Sequence, residues 1–257
     1  MIKTRYQIAV LSFAIFIIGA LARNVRIIGG HSASVRTYPF MAFFKCINDD
    51  KIFCGGSIIS NKHILTAAQC VNVGMDYYSQ IKVYTGMVSE LFPGNVHDID
   101  HVFTHPGFTA ERTPDKVFTH DIAVVKLKGL IELNEIQNVI ELPARDVADN
   151  DKGFILGWGT ISHPFHSFPT QMQKAKMTVI AQEECASFLK FKLHDAQFCA
   201  DNRQGIGPCM GDSGGPLVID GKIAGIISVS VPCALGEPDI FIRTHYYIDF
   251  IRHMMNH

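Results

Sequence analysis

The chain has 257 residues, 47% of them hydrophobic and only 18% charged. That is enough apolar material for a sizeable core, and it excludes a disordered chain, a collagen-like repeat and a small disulfide scaffold. A formal net charge of −1 gives no footing for nucleic-acid binding, and the seven cysteines are an odd number that needs an account. The N-terminus has a basic start at Lys3 and Arg5, an apolar run from Ile8 to Leu21, and the cleavage pattern Ala20-Leu21-Ala22. This pattern predicts a secretory signal peptide over residues 1–22, and the charged step to Arg23 favours cleavage over a signal anchor. No other stretch approaches the roughly 20 apolar residues that span a bilayer. A secreted, extracellular protein is therefore expected, with no membrane attachment once the signal is removed. Loss of Lys3, Arg5, Arg23 and Arg26 leaves 19 basic residues against 24 acidic ones, a mildly acidic surface.

From Ile27 onward, short apolar or alternating runs are separated by Gly, Pro, Asn and Asp. They include Phe40 to Phe44, Ser57 to Ser60, Ile81 to Thr85, Ile122 to Leu127, Phe154 to Leu156, Leu217 to Ile219 and Ile223 to Val229. Runs of this length predict antiparallel β-structure in sandwiches or barrels. The charge-rich segment from Gly129 to Lys152 reads as a connection between two lobes. Helical spacing is confined to the end, His245 to His257, where Ile248, Ile251 and Met255 share a face. Scattered histidines such as His97 and His163 read as surface or structural residues.

Five motifs then fall in one order: Arg26-Ile27-Ile28-Gly29-Gly30, Leu65-Thr66-Ala67-Ala68-Gln69-Cys70, His120-Asp121-Ile122-Ala123-Val124, Gly157-Trp158-Gly159 and Gly211-Asp212-Ser213-Gly214-Gly215-Pro216. Over residues 27–257 the chain resembles the chymotrypsin/trypsin-like serine endopeptidases. The resemblance implies an all-β fold of two six-stranded antiparallel barrels, about 27–130 and 145–244, with the site between them and a C-terminal helix over about 245–256. The family's chemistry uses a serine nucleophile, an imidazole base and a buried carboxylate that orients the base. By the resemblance, Ser213 is the nucleophile and Asp121 the carboxylate, while the base position before the cysteine of the Thr-Ala-Ala-His-Cys pattern is occupied by Gln69. A carboxamide cannot accept and return a proton near neutrality. Loss of such a base costs on the order of a millionfold in turnover, with about a thousandfold over water left to binding and the oxyanion site. His120 is a poor substitute, because neighbours in an extended strand point to opposite faces. His63 lies across a turn from Gln69.

The same resemblance makes the N–H groups of Gly211 and Ser213 an oxyanion hole. It makes residues 23–26 a short activation propeptide, cut after Arg26 by a processing protease. Such a cut frees the ammonium of Ile27 to pair with Asp212. The pocket floor is Gly207, and its wall is Ser228-Val229-Ser230, with Ser230 narrowing the entrance. Asp239 stands where the family usually has Gly, either as a pocket carboxylate favouring a basic side chain or as a solvated loop residue. Three disulfides are implied, Cys54–Cys70, Cys185–Cys199 and Cys209–Cys233, and a further family bridge is absent because its positions are Gly153 and Ile219. Cys46 is left over as a buried thiol, a modified thiol or an intermolecular link. The family's calcium loop has only Glu90 nearby, so no metal and no cofactor are expected. The reading is a secreted pseudoprotease that binds peptides, inhibitors or active proteases as a regulatory cofactor or decoy. The alternative is an endopeptidase with a weak or unusual mechanism.

Overall fold

The computed structural model describes residues 27–49, 51–88, 94–113, 116–161, 168–189, 191–202, 204–230 and 233–257. The expected signal peptide, Arg26, Glu90 and His163 lie outside these residues. The chain runs through β1 (His31–Ser32), β2 (Met41–Cys46), β3 (Ile52–Ile58), β4 (His63–Thr66), α1 (Ala68–Val71), β5 (Ile81–Thr85) and β6 (Asn95–Thr104). A small ribbon of β7 (Arg112–Thr113) and β8 (Lys116–Val117) precedes β9 (Ala123–Leu127). After the long connection follow β10 (Lys152–Gly157), β11 (Gln173–Ile180), α2 (Gln182–Phe188), β12 (Gln197–Asp201), β13 (Pro216–Ile219), β14 (Lys222–Val229), β15 (Asp239–Arg243) and α3 (Ile248–Met255).

The expected two six-stranded barrels are present. The first closes in the order β2-β3-β4-β9-β6-β5. The second runs β11-β10-β13-β14-β15-β12 and closes through the β11–β12 pairing. Alternation explains the individual strands: β5 buries Ile81, Val83 and Thr85 and turns Lys82 and Tyr84 outward, and β11 buries every second residue from Gln173 to Val179. Residues 27–32, placed by sequence with the first barrel, belong to the second. There β1 pairs with β11, Ile28 bridges Gly207, and Ile27 packs into a core cluster with Ile155, Met177, Phe198, Leu217 and Phe241. The C-terminal helix is shorter than expected, because Thr244–Tyr247 forms a 3₁₀ turn before it.

The three implied disulfides are all formed. Cys46 is free and exposed, not a buried thiol, because it is the last residue of β2. Gly153 and Ile219, in place of a further bridge, close the gap by packing, since a Cβ at Gly153 would lie 2.7 Å from Ile219 Cγ1.

The barrels meet almost backbone to backbone. Gly55 of β3 donates its N–H to Ser213 O at 2.8 Å, and a Cβ there would lie 3.0 Å from Gly215 Cα. Trp158 is buried and its ring reaches to 5.0 Å from Phe43, itself stacked on Tyr84. Gly55→Ala has only backbone to push against, so it is expected to destabilise the protein by about 1–3 kcal/mol, read by urea denaturation.

Candidate active site

The site begins where β4 leaves the first barrel. Thr66 and Ala67 lead into α1, a four-residue helix whose Ala67 N-cap offers no side-chain acceptor. Its free N–H groups need an acceptor, and buried Asp121 supplies it. Gln69 N–H donates to Asp121 Oδ1 at 2.8 Å, and Ala68 N–H also bonds the carboxyl. The Gln69 side chain turns the same way: Nε2 donates to Asp121 Oδ2 at 2.6 Å and to Ser228 O at 2.7 Å, so both its hydrogens are used. Ser228 Oγ donates to Asp121 Oδ2 at 2.6 Å. Ser228 is able to reach because it is the extra residue of a β-bulge, where Ile227 pairs with Phe241 and Val229 with Ile240. Asp121 has no solvent exposure, and burial pushes its pKa up to about 6 against the pull of Ser228, Gln69 and Ala68.

Ser213 is half-buried in the loop between Cys209 and β13. Its carbonyl is pinned by Gly55, while its hydroxyl bonds no described residue. The N–H groups of Gly211 and Ser213 likewise donate to no described residue and are free for a ligand. Gly211 has φ of 97°, a region that favours glycine. Beside it lies a cavity of about 250 Å³ lined by Cys46, Ile52, Phe53, Phe168 and Met210.

Asp212 points the other way, into the second barrel. It accepts from Gly159 N–H at 2.8 Å and Cys209 N–H at 3.0 Å, and burial pushes its pKa up to about 7. No cation pairs with it among the described residues. A Cβ at Gly157 or Gly159 would collide with its carboxylate, which explains the glycines around Trp158. Ile27 is fully buried in the same barrel.

The structure brings Gly207, Ser230 and Asp239 together. A Cβ at Gly207 would lie 3.2 Å from Asp239 Oδ2, and Asp239 is 4% exposed, so it is no solvated loop residue. Burial holds its carboxyl well above the usual range; the nearby Ser230 hydroxyl pulls it partway back, and Asp201 and Asp212 repel it further. Ser230 Oγ is itself buried without a formed hydrogen bond. Ser228, by contrast, serves Asp121. His63 is buried in β4 with Nδ1 2.8 Å from Ser60 Oγ, opposite Lys126. His120 is in a turn with φ of 54°, not a strand, and its ring goes to Tyr247, 2.7 Å from the phenol oxygen.

A family model described as trypsin matches residues 27–251. The chain belongs to the trypsin family. It is 31% identical to Chymotrypsin-2 of Vespa crabro over 88% of this chain and 98% of that protein. It is 28% identical to the trypsin of Sus scrofa over 88% of this chain and 94% of that one. Among solved structures it is similar to neuropsin, a serine protease expressed in the limbic system of mouse brain, with a TM-score of 0.79 and 27% identity, covering 88% and 98% of the two chains. The double-barrel architecture is thus that of the family. What the sequence missed is the second set of partners: Ala68 N–H on Asp121, and the glycines that make room for Asp212.

Truncating Gln69 leaves Asp121 buried with one donor fewer. Gln69→Ala is expected to raise the Asp121 titration midpoint above about 6, read by carboxyl NMR. At pH well above that midpoint it is expected to lower stability by about 1–3 kcal/mol.

Proposed function

We propose that this trypsin-family chain is a secreted pseudoprotease. It binds peptide segments, protease inhibitors or active proteases in the cleft between the barrels, as a regulatory cofactor or decoy, without cutting them. One observation carries the reading. Gln69, at the family's base position, spends both amide hydrogens on Asp121 and Ser228, and its remaining oxygen can accept a hydrogen bond but cannot take a proton from Ser213. The Ser213 hydroxyl has no described partner to activate it. The signal-peptide pattern and three disulfides support secretion.

Cleavage after Arg26 by a processing protease would release the Ile27 ammonium. Asp212 is a fitting acceptor, since it is buried with two N–H donors and no cation among the described residues. The ion pair would order the Gly211 loop for ligand binding, with activation acting as a conformational switch. The free N–H groups of Gly211 and Ser213 also favour a second reading, a weak endopeptidase that retains carbonyl binding but lacks a base.

The test is to cut the chain after Arg26, then measure fluorophosphonate labelling of Ser213 and peptide hydrolysis. Neither is expected above background, and Gln69→His is expected to raise labelling. Robust turnover by the natural sequence, abolished by Ser213→Ala, would overturn the pseudoprotease reading in favour of the endopeptidase. The pocket carboxylate gives a separate measure. p-Aminobenzamidine is expected to bind the cut protein and to lose about 2–5 kcal/mol of affinity in Asp239→Ala, by calorimetry.

A further inference from the structure

Three imidazoles from three separate segments meet next to Asp121 in sequence, at His120. His105 lies in the turn after β6, His120 in the turn before β9, and His194 in the loop between α2 and β12. The rings of His105 and His120 stack with centroids 4.6 Å apart, and His194 meets His120 edge-on at 4.6 Å. Tyr247 closes the cluster through its 2.7 Å bond to His120 Nδ1, and Phe250 of α3 covers His105 at 5.1 Å. The group thus ties the first barrel, the second barrel and the C-terminal segment.

The hydrogen bonds fix the protonation states. His105 Nδ1 accepts from Gly107 N–H at 3.1 Å, and His194 Nδ1 accepts from Ala196 N–H at 3.1 Å. Each neutral ring therefore carries its hydrogen on Nε2, and neither offers a free lone pair to a metal ion. A second proton would have to enter at Nδ1, facing a backbone N–H that already points at it. Protonation and the loop contact exclude each other at both rings. His120 differs, because its bond to the Tyr247 phenol survives if the donor is reversed.

Proton uptake by the cluster depends on the charges around it. The titratable groups acting on it are the three rings, Tyr246 and Tyr247, and Asp121, whose charge reaches Tyr247. Asp195 beside His194 and Asp249 and Arg252 on α3 are exposed. No carboxylate forms a salt bridge to any of the three rings among the described residues. Burial holds His105 below the ordinary imidazole value of 6.5. It does the same for His120, with repulsion from His105 and His194 added. A base whose pKa is depressed on folding contributes stability that is fully present above its ordinary value and is lost as pH falls below it.

We propose that His105, His120 and His194 form a proton-sensitive latch across the seam between the barrels, closed when neutral and released on protonation. The released element adjoins the cleft. His120 directly precedes Asp121 and holds a left-handed backbone that a non-glycine residue adopts at a cost, and its carbonyl accepts from Ile122 N–H at 2.7 Å to close the turn that presents Asp121. Acidification would free the 105–107 and 194–196 loops first and that turn with them. This inference concerns the latch alone and does not depend on what the cleft binds.

The test is amide hydrogen exchange at Gly107 and Ala196, corrected for intrinsic rates, alongside ring NMR of the histidines. Between about pH 7.5 and about pH 5 the two amides are expected to exchange about tenfold faster or more, as the ring-to-amide contact is lost. The control is the double variant His105→Asn/His194→Asn. An Asn side-chain oxygen can accept from the N–H two residues on, as in an Asx-turn, but does not titrate. Protection at both amides is expected to fall less with pH in that variant than in the wild type. It keeps His63, His97 and His120, whose own pKa values burial also depresses, so their contribution to opening is common to both proteins. Protection that does not change in the wild type while the rings titrate overturns the latch. So does protection that falls equally in wild type and double variant.

Discussion

A carboxylate with no solvent exposure and, among the described residues, no cation is the constraint around which the cleft is arranged. Asp121 must be satisfied by neutral donors alone, and they come from both barrels: Gln69 and Ala68 from the start of α1, and Ser228 from the bulge in β14. Removing any of them exposes a desolvated charge to the loss of a bond it cannot replace with water. The position of α1, the register break at Ser228 and the orientation of the Gln69 carboxamide therefore depend on one another. Ser213 stands outside this network. Its loop is held instead by Gly55 from the first barrel and by the Cys209–Cys233 bridge within the second.

Asp121 is one of three such groups. Asp212 and Asp239 are also buried without a cation among the described residues, and burial raises the pKa of all three. The sign of the linkage is common to them. A carboxyl whose pKa is raised on folding favours the fold while protonated, and that contribution is lost as pH rises from its unfolded value near 4 through its folded value. The buried imidazoles act in the opposite sense, withdrawing stability as pH falls below 6.5. At mildly alkaline pH the single chain thus holds carboxylates that a positive charge would relieve. Asp212 faces the barrel that holds Ile27, and Asp239 faces the Gly207 pocket, so each has a different source of relief. Asp121 has none beyond its amide and hydroxyl donors.

The sequence carried the architecture because period-two alternation and turn residues mark the barrel strands that are half buried. It missed or blurred strands whose burial is uneven. β6 is ten residues long yet buries only Ile99 and Val102 among residues such as His97, Asp98, Asp100 and His101, so no alternation shows. β15 begins on a buried Asp239, which reads as a loop residue until the pocket around it is seen. Chain order suggests the first barrel for residues 27–32, whereas the burial of Ile27 and the pairing of β1 with β11 tie them to the second. At the site, motif order identified Gln69, Asp121, Asp212 and Ser213, since these lie within short local patterns. Contacts made through backbone N–H groups, such as Ala68 on Asp121, leave no mark on residue type. The imidazole cluster was equally hidden, because its members are 15 and 74 residues apart in sequence and meet only when the barrels dock.

Gln69 decides how Asp121 is satisfied. A carboxamide and a neutral imidazole can both donate an N–H to a carboxylate, so the bonding needs of Asp121 are met by either. Substitution by a small apolar residue would leave the buried charge short of a donor and loosen both α1 and β14. Glutamine instead preserves the link between the barrels while offering no group that can shuttle a proton. The bonding of Asp121 is thereby separated from acid–base chemistry: the link between the barrels needs donors to the carboxylate, and those donors need not titrate.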